Sequence, residues 1–411
     1  MAPRKKAGAR FGEVTILVRI ALATTTTFAS LEASAQSPTP VLVQIGLIRL
    51  ETPPRIPISL LERPAGDNAL AGARLAIDDN NTTGQFTNHQ FELTDAAIND
   101  AAAAVAAVDR FAADGIRFIV TDLPAEMLLA VADAAATQDI LVLNAGATDD
   151  VLRMEECRAN VIHVAPSRAM LGDALAQYLV WKKWNRWFLI VGSHESDRLY
   201  AEAVKRAATR FGAEVVEERV FEDTGGARTT DSGTVQVQRL MPVFTQNAPD
   251  HDVVVVADES EVFGAYVPFR TWTPAPVAGT DGLRPTSWSP AHDQWGAIQL
   301  QNRFVEGLRR LMTDKDVQAW TAVRIVGEAA VRAGSPDAAA MTEFIKGPNF
   351  EVAAFKGQKL TIRDWDLQLR QPILLADGRT VVSVSPQVGF LHQTSELDTL
   401  GYDRPETKCN L

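Results

Sequence analysis

The residues best placed to do chemistry in this chain sit where short apolar runs give way to small and polar residues. Ile116 to Val120 is a β-rich run of the kind buried on both faces of a parallel sheet, and it ends at Thr121-Asp122. Ile140 to Leu143 is a second such run and ends at Asn144-Ala145-Gly146-Ala147-Thr148. Between them Met127, Leu128, Val131, Ala134 and Ala135 recur at helical spacing behind Pro124, which suits a first helical turn. Strand, helix and strand make one βαβ unit, so both strand-end loops emerge on the same edge of a sheet. Ligands of open α/β sheets lie outside that edge, which makes these loops the first place to look for a site. Asp122 has two readings, a cap for the following helix or a group that faces a ligand.

Catalytic signatures are missing. There is no Gly-x-Ser-x-Gly elbow, no Walker loop and no His-Glu-x-x-His, and His194-Glu195 has no second histidine four residues on. No Gly-x-Gly-x-x-Gly follows a strand, so a dinucleotide site is unsupported. Six scattered histidines and no Cys-x-x-Cys form no metal constellation. We expect no catalytic residue, no metal and no cofactor. A net charge of -11 argues against nucleic acid, because phosphate contacts need clustered Lys and Arg.

The elements that must position the loops alternate along the chain. Val41 to Leu50 reads as a strand, followed by a Pro-rich loop at Thr52 to Pro64 and a helix after Asp67-Asn68 that ends at Asn80 to Gly84. Gln90 to Leu93 is a strand and Asp100 to Ala113 an Ala-rich helix leading into the βαβ unit. The pattern restarts after Arg158: Val161 to Val164, a helix from Arg168 to about Lys183, and a strand at Trp187 to Val191. A polar loop at Gly192 to Asp197, a helix from about Leu199 to Phe211, and a strand at Glu214 to Phe221 follow. After a Gly/Thr loop, Val235 to Phe244 has helical tendency and Asp252 to Ala257 is an apolar strand ended by Asp258-Glu259. Pro274 to Trp295 is rich in Pro, Gly, Trp and His and reads as a crossing between domains. Helices at Gly296 to Met312 and Val317 to Ala333 precede late strands, with a hairpin at Asp377-Gly378 and an irregular tail from Leu391. At 411 residues the chain suits two domains, and the two βα series predict parallel, doubly wound sheets.

The first 35 residues read as a secretory signal: Arg4, Lys5, Lys6 and Arg10, an apolar run from Ile20 to Leu31, and Ala33-Ser34-Ala35 before Gln36. Its removal leaves 35 basic against 49 acidic residues, a net of -14. No stable membrane insertion of the mature chain is expected. Cys157 and Cys409 are the only cysteines, and an oxidising compartment favours a bridge over two buried thiols. Closing so long a loop is worth about 4–5 kcal/mol in the chain-entropy model.

The ordering resembles the type I periplasmic solute-binding proteins, the branch that includes the leucine/isoleucine/valine-binding proteins. Leu70 to Asn81, Ile116 to Asp150, Phe188 to Phe211, Val253 to Arg270 and Ala319 to Ala333 carry the likeness. More narrowly, HVAPSRAMLGDALAQYL from His163, FRTWTPAPVAGTDGL from Phe269, HDQWGAIQLQNRF from His292, RDWDLQLRQPI from Arg363 and SPQVGFLH from Ser385 resemble one group. These are substrate-binding components of ABC systems associated with PQQ-dependent alcohol dehydrogenases. The resemblance implies two Rossmann-like lobes joined by a three-segment hinge, closing on a small molecule and docking on an ABC permease. Lobe 1 would take residues 37–163 and 290–361, lobe 2 residues 164–289 and 362–390, and the tail 391–411.

By position, the resemblance places ligand contacts at Thr121, Asp122, Ala145, Gly146, Ala147 and Thr148 on lobe 1. On lobe 2 it places them at Ser193, His194, Asp197, Tyr200, Asp258, Glu259 and Asp281, with Trp288 in the crossing segment. Amino-acid binders of this branch hold a carboxylate at the first two loops. An ionised Asp122 beside it would cost about 1–4 kcal/mol at 4 Å, so an ordinary amino acid is not the expected ligand. Asp197, Asp258, Glu259 and Asp281 would form an acidic wall suited to a cationic, polyhydroxyl or metal-bearing ligand and hostile to free PQQ. The alternative function is an accessory or sensory protein acting on a partner dehydrogenase.

Overall fold

The computed structural model describes residues 39–51, 65–225 and 231–411. The expected leader, the Pro-rich loop at Thr52 to Pro64 and part of the Gly/Thr loop after Asp223 lie outside these residues. Val41–Leu50 (β1), His89–Ile98 (β2), Phe118–Asp122 (β3), Leu141–Asn144 (β4) and Val161–His163 (β5) pair in the order β2-β1-β3-β4-β5, parallel throughout. Leu70–Thr87 (α1), Ala101–Ala113 (α2) and Ala125–Ala136 (α3) connect them. Arg168–Trp181 (α4) then leads to a second sheet of Arg186–Gly192 (β6), Glu214–Phe221 (β7), Val253–Ala257 (β8) and Val277–Gly279 (β9). Its order is β7-β6-β8-β9, again parallel, with Glu195–Phe211 (α5), Asp231–Phe244 (α6) and the short Val267–Arg270 (α7) between strands. Arg284–Thr286 (β10) precedes Ala297–Leu308 (α8), Asp314–Arg332 (α9), Ala338–Lys346 (α10), Val352–Ala353 (β11) and Lys359–Leu360 (β12). Ile373–Ala376 (β13) and Val381–Ser385 (β14) complete an antiparallel sheet, β10-β13-β14. The architecture is the α/β pair of parallel-sheet lobes that the alternation predicts.

The central strands are apolar because both of their faces are covered. Leu47, Val120 and Leu143 face α1 and α9, while Ile48, Ile119 and Val142 face α2 and α3. Helix α9 is drawn back to the first sheet by its apolar face, burying Trp320, Val323 and Val326. Glycines allow it to approach α1 closely: a Cβ on Gly72 would fall 1.9 Å from the Asp316 carbonyl oxygen. Its start is fixed by a capping box in which Thr313 accepts from Asp316 N–H.

Three segments pass between the sheets, around Val164 to Ser167, Thr286 to Ser289, and residues 354–372. Long polar side chains stitch them together. Gln368 Nε2 donates to the carbonyls of His163 (3.0 Å) and Ala165 (3.2 Å), and Gln371 Nε2 to that of Val164 (2.7 Å). Lys356 Nζ donates to the carbonyls of Ser287 and Pro372, tying the second segment to the third.

Several elements differ from expectation. Strand β2 runs the full length of β1 because backbone pairing, not an apolar run, holds this edge strand. The segment Pro274 to Trp295 contains β9 and β10, strands of three residues each that leave no periodicity to read. Helix α10 was hidden between Pro336 and Gly347 and is capped by Asp337. Helix α8 stops at Leu308, where Arg309 adopts φ 58. The tail is not loose: Leu397, Asp398 and Leu400 are buried, and the Cys157–Cys409 bridge closes it at a Cα–Cα distance of 5.6 Å.

Candidate functional site

Parallel register sets the first edge of the site. Thr121 lies opposite Ile48 and Asn144, so the ends of β1, β3 and β4 finish side by side. Asn144 then shapes the loop after β4: its Oδ1 accepts from the N–H groups of Gly146 (3.1 Å) and Ala147 (2.8 Å), and its Nδ2 donates to the Ala147 carbonyl. The Ala145 N–H donates to the Thr121 carbonyl. Thus the backbone donors of Ala145, Gly146 and Ala147 are all engaged, the first by β3 and the other two by Asn144. Thr148 is half-buried, and the Thr121 hydroxyl is buried without a partner.

Asp122 is the last residue of β3 and does not cap α3, whose N-cap is Pro124 with no side-chain bond. Instead both of its oxygens accept from Lys315 Nζ, at 2.8 and 3.1 Å. A Cβ on Gly146 would come within 2.6 Å of Asp122 Oδ1, so this carboxylate packs directly on the β4 loop. Lys315 arrives in the first turn of α9, far away in sequence, which is why Asp122 alone did not disclose its partner.

On the second sheet most of the predicted acids organise their own loops. Asp197 is fully buried and accepts from Ser260 N–H (2.8 Å), Ser260 Oγ (2.7 Å) and His194 N–H (3.2 Å). Asp258 accepts from the N–H groups of Val262 (2.9 Å), Phe263 (2.7 Å) and Gly264 (2.5 Å). Burial pushes the Asp258 carboxyl above its ordinary range, against those three donors. Ser193 Oγ accepts from Asp223 N–H, and the His194 ring meets the Asp223 carboxylate at 3.0 Å. Among the described residues Asp281 keeps only a long contact with Thr280 Oγ1, and burial raises its pKa to about 6, with Asp258 and Glu261 adding and Arg284 opposing. Tyr200 lies in the second core with its hydroxyl buried and unpaired, and Glu259, Asp281 and Arg284 all act on it electrostatically.

Trp288 is 2% exposed within the first core and donates Nε1 to Gln301, so it packs the crossing segment.

The group that joins the two edges is Arg168, at the start of α4. Its Nη1 donates to Asp149 in the β4 loop at 2.7 Å, and its Nη2 and Nε donate to Glu259 after β8 at 2.7 and 3.0 Å. Its own N–H donates to the Thr148 carbonyl. One guanidinium touches both carboxylates, so the strand ends of the two sheets converge on a single point. Burial disfavours its charge, but the two carboxylates outweigh that and hold Arg168 ionised. Glu259 and Asp149 therefore share one cation within the protein. Arg168 stands in the sequence as a lone base among apolar residues at a helix start, a signal that was readable but unread.

Comparison with known proteins agrees with this geometry. Residues 60–241 match the model of a family described as periplasmic binding protein. No curated protein matches the sequence. A periplasmic binding protein from Burkholderia mallei superposes with TM-score 0.66 at 16% identity, covering 90% of this chain and 98% of its own. The chain has the type I periplasmic binding protein fold. The leucine-, isoleucine-, valine-, threonine- and alanine-binding protein of Brucella ovis, in a closed conformation, gives TM-score 0.64 at 16% identity over 81% of this chain and 88% of that one. An ABC transporter solute-binding protein of Rhodopseudomonas palustris in complex with 4-hydroxybenzoate gives 0.62 at 14% identity, over 84% and 96%. Among the described residues no helix is long and apolar enough to cross a membrane, and no group of three His, Cys, Asp or Glu side chains could hold a metal ion.

Proposed function

We propose that this protein is the periplasmic solute receptor of an ABC transporter, and that it takes a neutral, hydroxyl-bearing small molecule between its lobes. The convergence of both strand-end edges on Arg168 supports the receptor reading, because loops from the two sheets meet at one group. Polar-group accounting supports the ligand class. Asp122 is paired with Lys315, Asp149 and Glu259 share Arg168 with one negative charge in excess, and the N–H groups of Ala145, Gly146 and Ala147 are already occupied. What remains unpaired is the Tyr200 hydroxyl, the Thr121 hydroxyl and the under-bonded Asp281 carboxyl. Neutral donors and acceptors complement such groups, whereas an anion would meet carboxylates in excess of their cations and a cation would compete with Arg168 and Lys315 for theirs. The lobe limits expected from the sequence belong to this proposal. So does the connection to quinoprotein alcohol oxidation, which rests on the sequence stretches from His163, Phe269, His292, Arg363 and Ser385.

The test is thermal-shift and calorimetric screening of the chain from Gln36 onward. Alcohols, aldehydes and polyols are set against amines, carboxylates, amino acids, calcium and lanthanide salts, and PQQ. A neutral compound at a hundredfold excess over Kd should stabilise the fold by about 2.7 kcal/mol. Tyr200→Phe and Asp281→Asn should each weaken it about tenfold. Binding only by amino acids or carboxylates would overturn the ligand class, and turnover of a pooled metabolite set would sink the receptor reading itself.

A further inference from the structure

We propose that the C-terminal segment is a strap that joins the lobes as a fourth covalent link and limits how far they open. Its inner part is bound to the second lobe. Leu400 is fully buried against Met170, Ala174 and Ile373, and Gln177 Nε2 donates to Thr399 Oγ1 at 3.0 Å. Gly401 donates its N–H to Asp173 (2.8 Å) and accepts from Arg206 (3.1 Å) and Arg210 (2.5 Å), so α4 and α5 hold it from both sides. Arg206 also lies over the Tyr402 ring, 4.1 Å from its centroid, and reaches Glu406 at 3.3 Å. Asp398 is buried beneath Arg363 (2.9 Å) and Arg370 (2.8 Å).

The outer end is bound to the first lobe. Cys409 is bridged to Cys157, and Lys408 Nζ meets Glu155 at 2.7 Å. The segment carrying Cys157 is itself fixed to α3, with Arg158 on Asp133 (2.6 Å) and Asn160 on the Ala132 carbonyl (2.9 Å). Three peptide steps separate Glu406, the last anchor on the second lobe, from Cys409. Fully extended they span about 10 Å. Any opening that parts α5 from the Glu155 to Arg158 loop by more than that must break the bridge or strip the tail from α4 and α5. Motion is thereby steered to an axis close to the strap.

Two variants separate this role from simple stabilisation. The pair Cys157→Ser and Cys409→Ser removes the link. Six Gly/Ser residues inserted after Thr407 keep the bridge but add about 20 Å of slack, while lengthening so long a loop hardly changes its closure entropy. Fluorophores on unnatural residues at the exposed positions Ala106 and Glu202 report the distribution of inter-lobe distances in the ligand-free protein. Near-UV circular dichroism checks that each variant is folded. The strap predicts a narrow distribution in the native chain that widens by several Å in the insertion variant and in the serine pair alike. A distribution left unchanged by the insertion overturns the proposal, whatever the serine pair does. The readout needs no ligand, so it stands or falls apart from the identity of the solute.

Discussion

At the scale of single residues, the site is a set of charges satisfied from within. Asp122, Glu259, Asp197 and Asp258 were legible in the sequence as acids at strand ends, but their partners were not. Lys315 lies 193 residues from Asp122, and Arg168 lies 91 residues from Glu259. Asp281 is the exception and bears a cost. Its pKa is raised to about 6 from an ordinary 3.8, so between those values the folded chain binds more protons than the unfolded one. Stability therefore falls as pH rises through that window, and the loss persists at neutral pH. Asp281→Asn should stabilise the ligand-free protein at pH 7 by about 1–3 kcal/mol, with the gain vanishing near pH 4. Urea denaturation across pH checks this; a variant less stable than the native chain at pH 7 would show that Asp281 supports the fold instead of serving the site.

At the scale of elements, apolar runs such as Val253 to Ala257 and the capped helix α2 were readable because local patterning and burial coincide. Short strands such as β9 and β10 were not, since three residues carry no period and pairing alone defines them. The hinge was legible only as a composition change. Its working part is the stitching of carbonyls by Gln368, Gln371 and Lys356. Burial lowers the Lys356 pKa to about 8 from 10.5, so between these values the unfolded chain binds more protons and native stability rises with pH. Relative to Lys356→Met, the native protein should gain about 2–3 kcal/mol between pH 8 and pH 10.5. Paired urea titrations measure the gap, and a gap independent of pH would mean that the ammonium is not charged and buried as described.

At the scale of the whole molecule, the bridge between Cys157 and Cys409 closes a loop of 252 residues. The serine pair should lose about 5 kcal/mol of stability by chain entropy, read as the difference in unfolding free energy between the oxidised protein and the variant. A loss under 1 kcal/mol would place the tail's stability in its contacts with Asp173, Arg206 and Arg210 alone. The sequence by itself determined the alternation of the long strands and helices and the parallel character of both main sheets. Those follow from local hydrophobic pattern and turn chemistry, which act over a few residues. Tertiary structure alone decided which charges are free. Lys315, Arg168 and the C-terminal strap reach partners 193, 91 and 252 residues away, and no local pattern encodes a distance that only the packed fold closes.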